Sequence, residues 1–200
     1  PLAEPLNLPT DYPRPAERRF AGDFQAVEFS NTTSQLIDQA AERFGTTAFS
    51  ILTALTQVLL YRHCGQTDIP MGMLVAGRDN ASLDNVIGFF VNTVVLRQKV
   101  DPDALFDAHL TTTTKTIMQA LSDQALPFED VVNAVNAPRD LSRNPLFDVL
   151  VAWQDDMPEI HTFGDMGISL RETEFPFAKF DLGFYFFRTF HPARRRTRPD

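Results

Sequence analysis

The chain has 200 residues, 44% of them hydrophobic and 22% charged, with a formal net charge of −8 at pH 7. That is enough for one globular domain or one lobe of a larger one, and the acidity argues against a nucleic-acid surface. The single cysteine, Cys64, excludes an internal disulfide framework and fits a reducing, cytoplasmic compartment, while no apolar run is long enough to span a bilayer and no signal peptide opens the chain.

Residues 1–19 hold five prolines (Pro1, Pro5, Pro9, Pro13, Pro15) and read as a linker or entering arm, because Pro removes helix donors and restricts the residue before it. A domain that starts this way is expected to have something before it. Gly22 to Phe29 alternates enough to predict a strand. Asn31-Thr32-Thr33-Ser34 offers N-caps for a helix whose apolar face is Leu36, Ile37, Ala40, Ala41 and Phe44, with Gly45 as its stop. Thr46 and Thr47 cap a second helix over Phe49–His63, apolar round nearly its whole circumference and therefore expected to be deeply buried. Ile69 to Ala76 reads as a buried central strand.

Ile87 to Arg97 has the β-branched and aromatic richness of another strand, with Gly88 at its entry and Asn92 and Thr93 interrupting the apolar run. A buried amide needs partners, so Asn92 either ties down a neighbouring loop or faces a channel. Leu105 to Leu121 predicts a helix, with Leu105, Phe106, His109, Ile117 and Leu121 inward. Pro127 suits the first turn of a helix over Phe128–Val135. Strands are expected at Val149–Trp153, Gly167–Leu170 and Leu182–Phe187. Helices alternate with strands apolar on both faces, which predicts an α/β (α+β layered) fold, a mixed sheet covered by helices. The last ten residues carry four Arg and one Asp, so the rest of the chain carries −11; residues 188–200 form an atypical basic tail, expected to be disordered.

Metal sites need clustered ligands, and His63, His109, His161 and His191 are scattered, so no metal is expected. No phosphate-binding loop, dinucleotide fingerprint or Gly-x-Ser-x-Gly elbow occurs. Asp155-Asp156 reads as a solvated turn. What stands out is a set of polar groups beside Gly or Pro in apolar surroundings: Arg78, Asn92, Arg139 and Arg143 are candidates for holding loops around a cleft or for surface ion pairs.

Six segments, in order, resemble the C-terminal half of the condensation domain of nonribosomal peptide synthetases. Leu8-Pro9-Thr10-Asp11-Tyr12-Pro13-Arg14-Pro15 is similar to its Leu-Pro-Thr-Asp-x-Pro-Arg-Pro opening. Val75-Ala76-Gly77-Arg78 resembles Val-Ala-Gly-Arg, and Ile87-Gly88-Phe89-Phe90-Val91-Asn92-Thr93 resembles Ile-Gly-x-Phe-Val-Asn-Thr. Leu126-Pro127-Phe128-Glu129 carries Pro-Phe-Glu. Arg139-Asp140-Leu141-Ser142-Arg143-Asn144-Pro145-Leu146 is similar to Arg-Asp-x-Ser-Arg-Asn-Pro-Leu, and Lys179-Phe180-Asp181-Leu182 to Lys-Phe-Asp-Leu. The resemblance spans roughly residues 5–187; residues 20–187 would be one lobe of a chloramphenicol-acetyltransferase-like fold, whose two lobes form a V around a reaction tunnel.

The resemblance implies peptide-bond formation between thioesters held on two carrier proteins by 4′-phosphopantetheine, with no cofactor bound directly. It implies as partners the N-terminal lobe, upstream and downstream peptidyl carrier proteins and an adenylation domain. Arg78, Gly88, Asn92, Thr93 and Gln124 match positions supporting the tunnel, Arg78 matching the arginine that pairs with the aspartate of His-His-x-x-x-Asp-Gly. Pro127, Phe128, Glu129, Arg139, Asp140, Arg143 and Asn144 match structural motifs. The His-His-x-x-x-Asp-Gly motif is absent, so no catalytic residue is expected here and the fragment alone should be inactive. Asp123-Gln124-Ala125 lacks the carboxylate that the family carries before Pro-Phe-Glu, and likeness ends after Phe187. A non-catalytic module binding carrier proteins or a partner lobe is the alternative function. The face that the other lobe would cover should be apolar and should drive self-association.

Overall fold

The computed structural model describes residues 2–78, 80–154, 162–164, 166–167 and 176–188. Asp155-Asp156, all but Gly167 of the expected 167–170 strand, and the tail beyond Arg188 lie outside the described residues.

Helix α1 (Asn31–Phe44) begins where the Ser30 hydroxyl accepts from the Thr33 N–H, one residue before the expected caps, and ends at Gly45, whose φ of 59° is left-handed. Thr47 caps α2 (Ala48–Cys64) in the same way and Gly65 ends it at φ 70°. Strand β1 (Asp68–Val75), a short 3-10 turn at Ala81–Leu83 and β2 (Asn92–Lys99) follow, then α3 (Phe106–Ser122), α4 (Phe128–Ala134), β3 (Val149–Gln154), the small β4–β5 pair (Thr162–Phe163, Met166–Gly167) and β6 (Leu182–Phe187). The main sheet has the order β2-β1-β3-β6. β1 is antiparallel to β2 and parallel to β3, and β3 is parallel to β6. The sheet is mixed and carries helices, as the alternation of elements predicts.

The core forms on the two central strands. Ile69, Met71, Met73 and Val75 of β1 meet Val149 and Val151 of β3, Val94 and Leu96 of β2, Leu60 of α2 and Ile117 of α3. Leu6 of the Pro-rich arm is 1% exposed in this same core. Gly72 is required inside β1 because a Cβ there would lie 2.2 Å from the Phe147 ring. Phe147 in turn stacks on Phe180 and tilts against Phe128, each with ring centroids 5.6 Å apart.

Several expectations fail for identifiable reasons. Residues 22–29 form no strand: only Ala21 makes a single bridge, to Phe177, and Phe24 and Val27 face solvent. The strand expected over Ile87–Arg97 begins only at Asn92, because β1 stops at Val75, opposite Asn92, and leaves Val91 without a partner strand. α2 is not apolar-buried all round. Ser50, Thr53, Thr56 and Gln57 are inside while Leu55 and Leu59 are exposed. In α3, Leu105 and Phe106 are exposed rather than inward, and Leu110 and Thr113 are buried beside His109 and Ile117. The threonine run does not break α3; within the helix the Thr111 and Thr112 hydroxyls donate back to the carbonyls of Asp107 and Ala108.

Candidate functional site

The β1–β2 hairpin end gathers the residues singled out from the sequence. Asn92 sits opposite Val75, three residues before Arg78. Its Nδ2 donates to the Gln124 and Leu126 carbonyls, both at 2.8 Å. Its Oδ1 accepts from the N–H of Thr93 at 2.8 Å and of Phe128 at 3.2 Å. One amide thus fastens β2 to the α3–α4 connection and to the first N–H of α4, a group that no helix carbonyl can satisfy. Gln124 contributes its backbone carbonyl to this clamp. Pro127 occupies the cap of α4, Phe128 turns its ring to Phe147, and exposed Glu129 lies in the first turn, where an acid favours the helix dipole.

Arg78 is not left without partners. One guanidinium nitrogen donates to the Leu83 carbonyl and the other to that of Val86 at 3.0 Å, and the group stacks 4.5 Å from the Phe90 ring centroid. Gly77 at φ 63° brings backbone so close that a Cβ would lie 1.9 Å from the Phe90 carbonyl oxygen. The result is a tightly rooted loop with an apolar tip. Ile87 is 102% exposed and Phe89 is 89% exposed, with Gly88 between them.

A second polar centre surrounds Arg139–Leu146. Asp140 Oδ1 accepts from the N–H and the hydroxyl of Ser142, and those two bonds hold its carboxyl below the usual range. Arg143 pairs with buried Asp148 and donates to the Leu6 carbonyl at 3.3 Å. Burial pushes the Asp148 carboxyl up, and Arg143 pulls it down. Asn144 accepts from Arg18 and donates to the Lys179 carbonyl at 2.8 Å. Arg14 pairs with Asp181 and donates to the Ser142 carbonyl at 3.1 Å. Leu146, at φ 69°, is a bulky residue in left-handed backbone, held between this knot and the Phe147 stack. Exposed Arg139 borders a cavity of about 320 Å³ between the end of α4 and this loop.

These residues form two groups: Arg78, Gly88, Asn92, Thr93 and Gln124 with Pro127, Phe128 and Glu129 around the hairpin end, and Arg139, Asp140, Arg143 and Asn144 in the knot. Arg14, Arg18, Asp148 and Asp181 were missed as partners of the knot. Arginines inside a Pro-rich arm were the available signal, since a free linker has no need of them. Among the described residues no His, Cys, Asp and Glu converge to hold a metal ion, and no single helix is long and apolar enough to cross a membrane.

A family model described as condensation domain matches residues 2–189. The chain is 36% identical over 177 residues to surfactin synthase subunit 1 of Bacillus subtilis, covering 88% of this chain and 5% of that protein. It is also 36% identical over 181 residues to tyrocidine synthase 3 of Brevibacillus parabrevis, covering 90% of this chain and 3% of that one. The chain therefore spans only a small part of the curated relatives it matches. Among solved structures, a four-domain nonribosomal peptide synthetase bound to AMP and glycine superposes with a TM-score of 0.73 at 30% identity, over 74% of this chain and 11% of that one. The X-domain of teicoplanin biosynthesis, in complex with OxyB, superposes with a TM-score of 0.83 over 96% of this chain and 42% of that one, at 23% identity, a likeness of fold. The chain belongs to the condensation domain family of nonribosomal peptide synthetases and corresponds to the C-terminal half of that domain.

Proposed function

We propose that this chain is one wall of a peptide-bond-forming tunnel and works only against an N-terminal lobe that carries the His-His-x-x-x-Asp-Gly motif. The observation that supports this most is the loop rooted by Arg78: it is firmly built and ends in two exposed apolar side chains, a costly arrangement for a surface that stays in water. In the assembled domain the Arg78 guanidinium would also pair with the aspartate of that motif.

The reaction of the whole domain would join two thioesters borne on the 4′-phosphopantetheine arms of an upstream and a downstream carrier protein. The amine of the downstream aminoacyl thioester attacks the upstream carbonyl, a C–N bond forms, the C–S bond breaks, and the upstream arm leaves as a thiol after taking up the amine's proton. This chain supplies no residue that moves that proton. Its part is to shape the wall, through the Asn92 clamp that fixes α4 on β2. An adenylation domain would load the downstream carrier in the cytoplasm. Without the other lobe, the apolar tip would drive self-association.

The test is an assay for dipeptidyl thioester with loaded carrier proteins. The expected outcome is no product from this chain alone and product when it is co-expressed with the segment encoded upstream. Product from this chain alone would overturn the proposal.

A further inference from the structure

Two glycines of the Arg78 loop give way to one residue, Phe90. Carried two residues past the Val75–Asn92 pair, the β1–β2 register sets Gly77 opposite Phe90. The left-handed φ of Gly77 turns the chain there, and a Cβ on it would run into the Phe90 carbonyl. A Cβ on Gly88 would lie 2.9 Å from the Phe90 ring. The loop is cut back twice, once for the carbonyl and once for the ring of the same residue. That ring carries Arg78, whose guanidinium carbon lies 4.5 Å from its centroid. Neighbouring Phe89 is exposed, whereas Phe90 and Arg78 are both half-buried.

Arg78 is held from two sides of unequal firmness. In the plane of the guanidinium, N–H groups donate to the Leu83 and Val86 carbonyls. Those carbonyls belong to a turn fastened by its own short bonds, from the Ser82 and Leu83 N–H groups to Asn80 and from the Val86 N–H to Leu83. Phe90 stands two residues before Asn92, whose four hydrogen bonds fasten it to the α3–α4 connection. The ring therefore ties the guanidinium to the framework of the sheet, and the carbonyls tie it to the turn. An aromatic face attracts a guanidinium through its quadrupole, most strongly where both are withdrawn from water. The contact bears on the face of the guanidinium and spends none of its five N–H donors. The carbonyls take two, and three remain for a carboxylate.

We infer that Phe90 is the positioning residue of Arg78: its ring fixes the guanidinium plane against the end of β2 and so sets the direction in which the fork meets a carboxylate of the other lobe. This rests on the reading of Arg78 as the partner of the aspartate in His-His-x-x-x-Asp-Gly.

The test replaces Phe90 by leucine and by monofluoro-, difluoro- and trifluorophenylalanine, a series that drains the ring face of negative charge while keeping its shape. In the whole chain labelled with 15N at arginine, nuclear magnetic resonance reads the rotation of the Arg78 guanidinium about its Nε–Cζ bond, the signal being assigned by its loss in Arg78→Lys. Rotation should quicken stepwise along the fluorinated series and be fastest in Phe90→Leu, with the amide protection of β3 unchanged. In the pair purified after co-expression with the segment encoded upstream, the dissociation constant read on dilution should rise along the same series, to about fivefold for the trifluoro ring. Rotation or affinity that stays level along the fluorinated series, or that changes in Phe90→Leu alone, would overturn the inference, because the ring would then act as bulk. A native chain that forms no pair with the upstream segment would overturn the reading of Arg78 itself, and the inference with it.

Discussion

The knot around Arg143 and the loop rooted by Arg78 are made of the same materials, guanidinium groups set against backbone carbonyls, yet they differ in reach. The knot ties residues far apart in sequence: Arg14 to Ser142 and Asp181, Arg18 to Asn144 and Lys179, Arg143 to Leu6. Arg78 reaches only to its own loop, to the carbonyls of Leu83 and Val86 and the ring of Phe90. The knot therefore closes the lobe on itself and seats Leu6 in its core. The loop closes only on itself and presents Ile87 and Phe89 outward. Long-range polar contacts here hold the fold, and the short-range ones hold an exposed apolar tip.

The largest effect that sharpens this contrast is expected at Arg143. Arg143→Ala leaves Asp148 buried without its charge partner, a loss of about 3 kcal/mol, at the low end for buried pairs because the Arg143 side chain is 19% exposed. Urea unfolding measures it. The sign with pH is definite: the Asp148 carboxyl is raised from 3.8 in the folded chain, so its contribution is fully present below that value and is lost as pH rises through the folded pKa. Removing Arg143 raises the carboxyl further, and the variant should regain stability on acidification.

Asn92→Ala removes four hydrogen bonds from one half-buried amide, at a cost of about 2 kcal/mol. Its backbone amides from Gln124 to Phe128 should lose hydrogen-exchange protection while those of β3 keep theirs. Equal loss in both would erase the distinction between clamp and core.

His109 gives a smaller, pH-dependent effect. Burial lowers its pKa from 6.5, so the stability of the neutral form is present above that value and is lost as pH falls through the folded pKa. Thermal unfolding of the native chain against His109→Leu reads that difference, which should be absent from the substituted chain.

The smallest effect on stability belongs to the loop. Ile87→Ser with Phe89→Ser should change unfolding free energy by no more than about 0.5 kcal/mol, since both side chains are already in water. The same pair should abolish concentration-dependent association in light scattering. A large loss of stability would mean that the loop belongs to the fold after all.

Helices α1 and α2 were legible from sequence because a hydroxyl cap and a glycine stop bracket each of them, α3 from its apolar spacing, α4 from Pro127 at its start, and β6 from its aromatic run. Ser30, Thr47, Gly45 and Gly65 all act within one turn of their own helix. The failures arose where tertiary context decides. Ile87–Val91 has strand composition, but strand propensity reports fitness for a half-buried pleated surface, and β1 ends before it can pair there. α2 looked apolar all round because its exposed Leu55 and Leu59 cannot be told from core by type, nor its buried Ser50, Thr53, Thr56 and Gln57 from surface. Arg78, Asn92, Arg139 and Arg143 stand out as polar groups beside Gly or Pro, and the resemblance to a family adds the other motif residues, whereas the pairing of Arg14 with Asp181 and of Arg143 with Asp148 depends on chain crossings that no local pattern reveals.

The most direct test of the central claim is hydrogen exchange of the amides from Leu83 to Val91, measured with and without the separately produced upstream segment. The account predicts strong new protection across Val86–Val91 when that segment binds, and loss of that protection in the Ile87→Ser, Phe89→Ser chain. Binding that leaves these amides as open as before would contradict it.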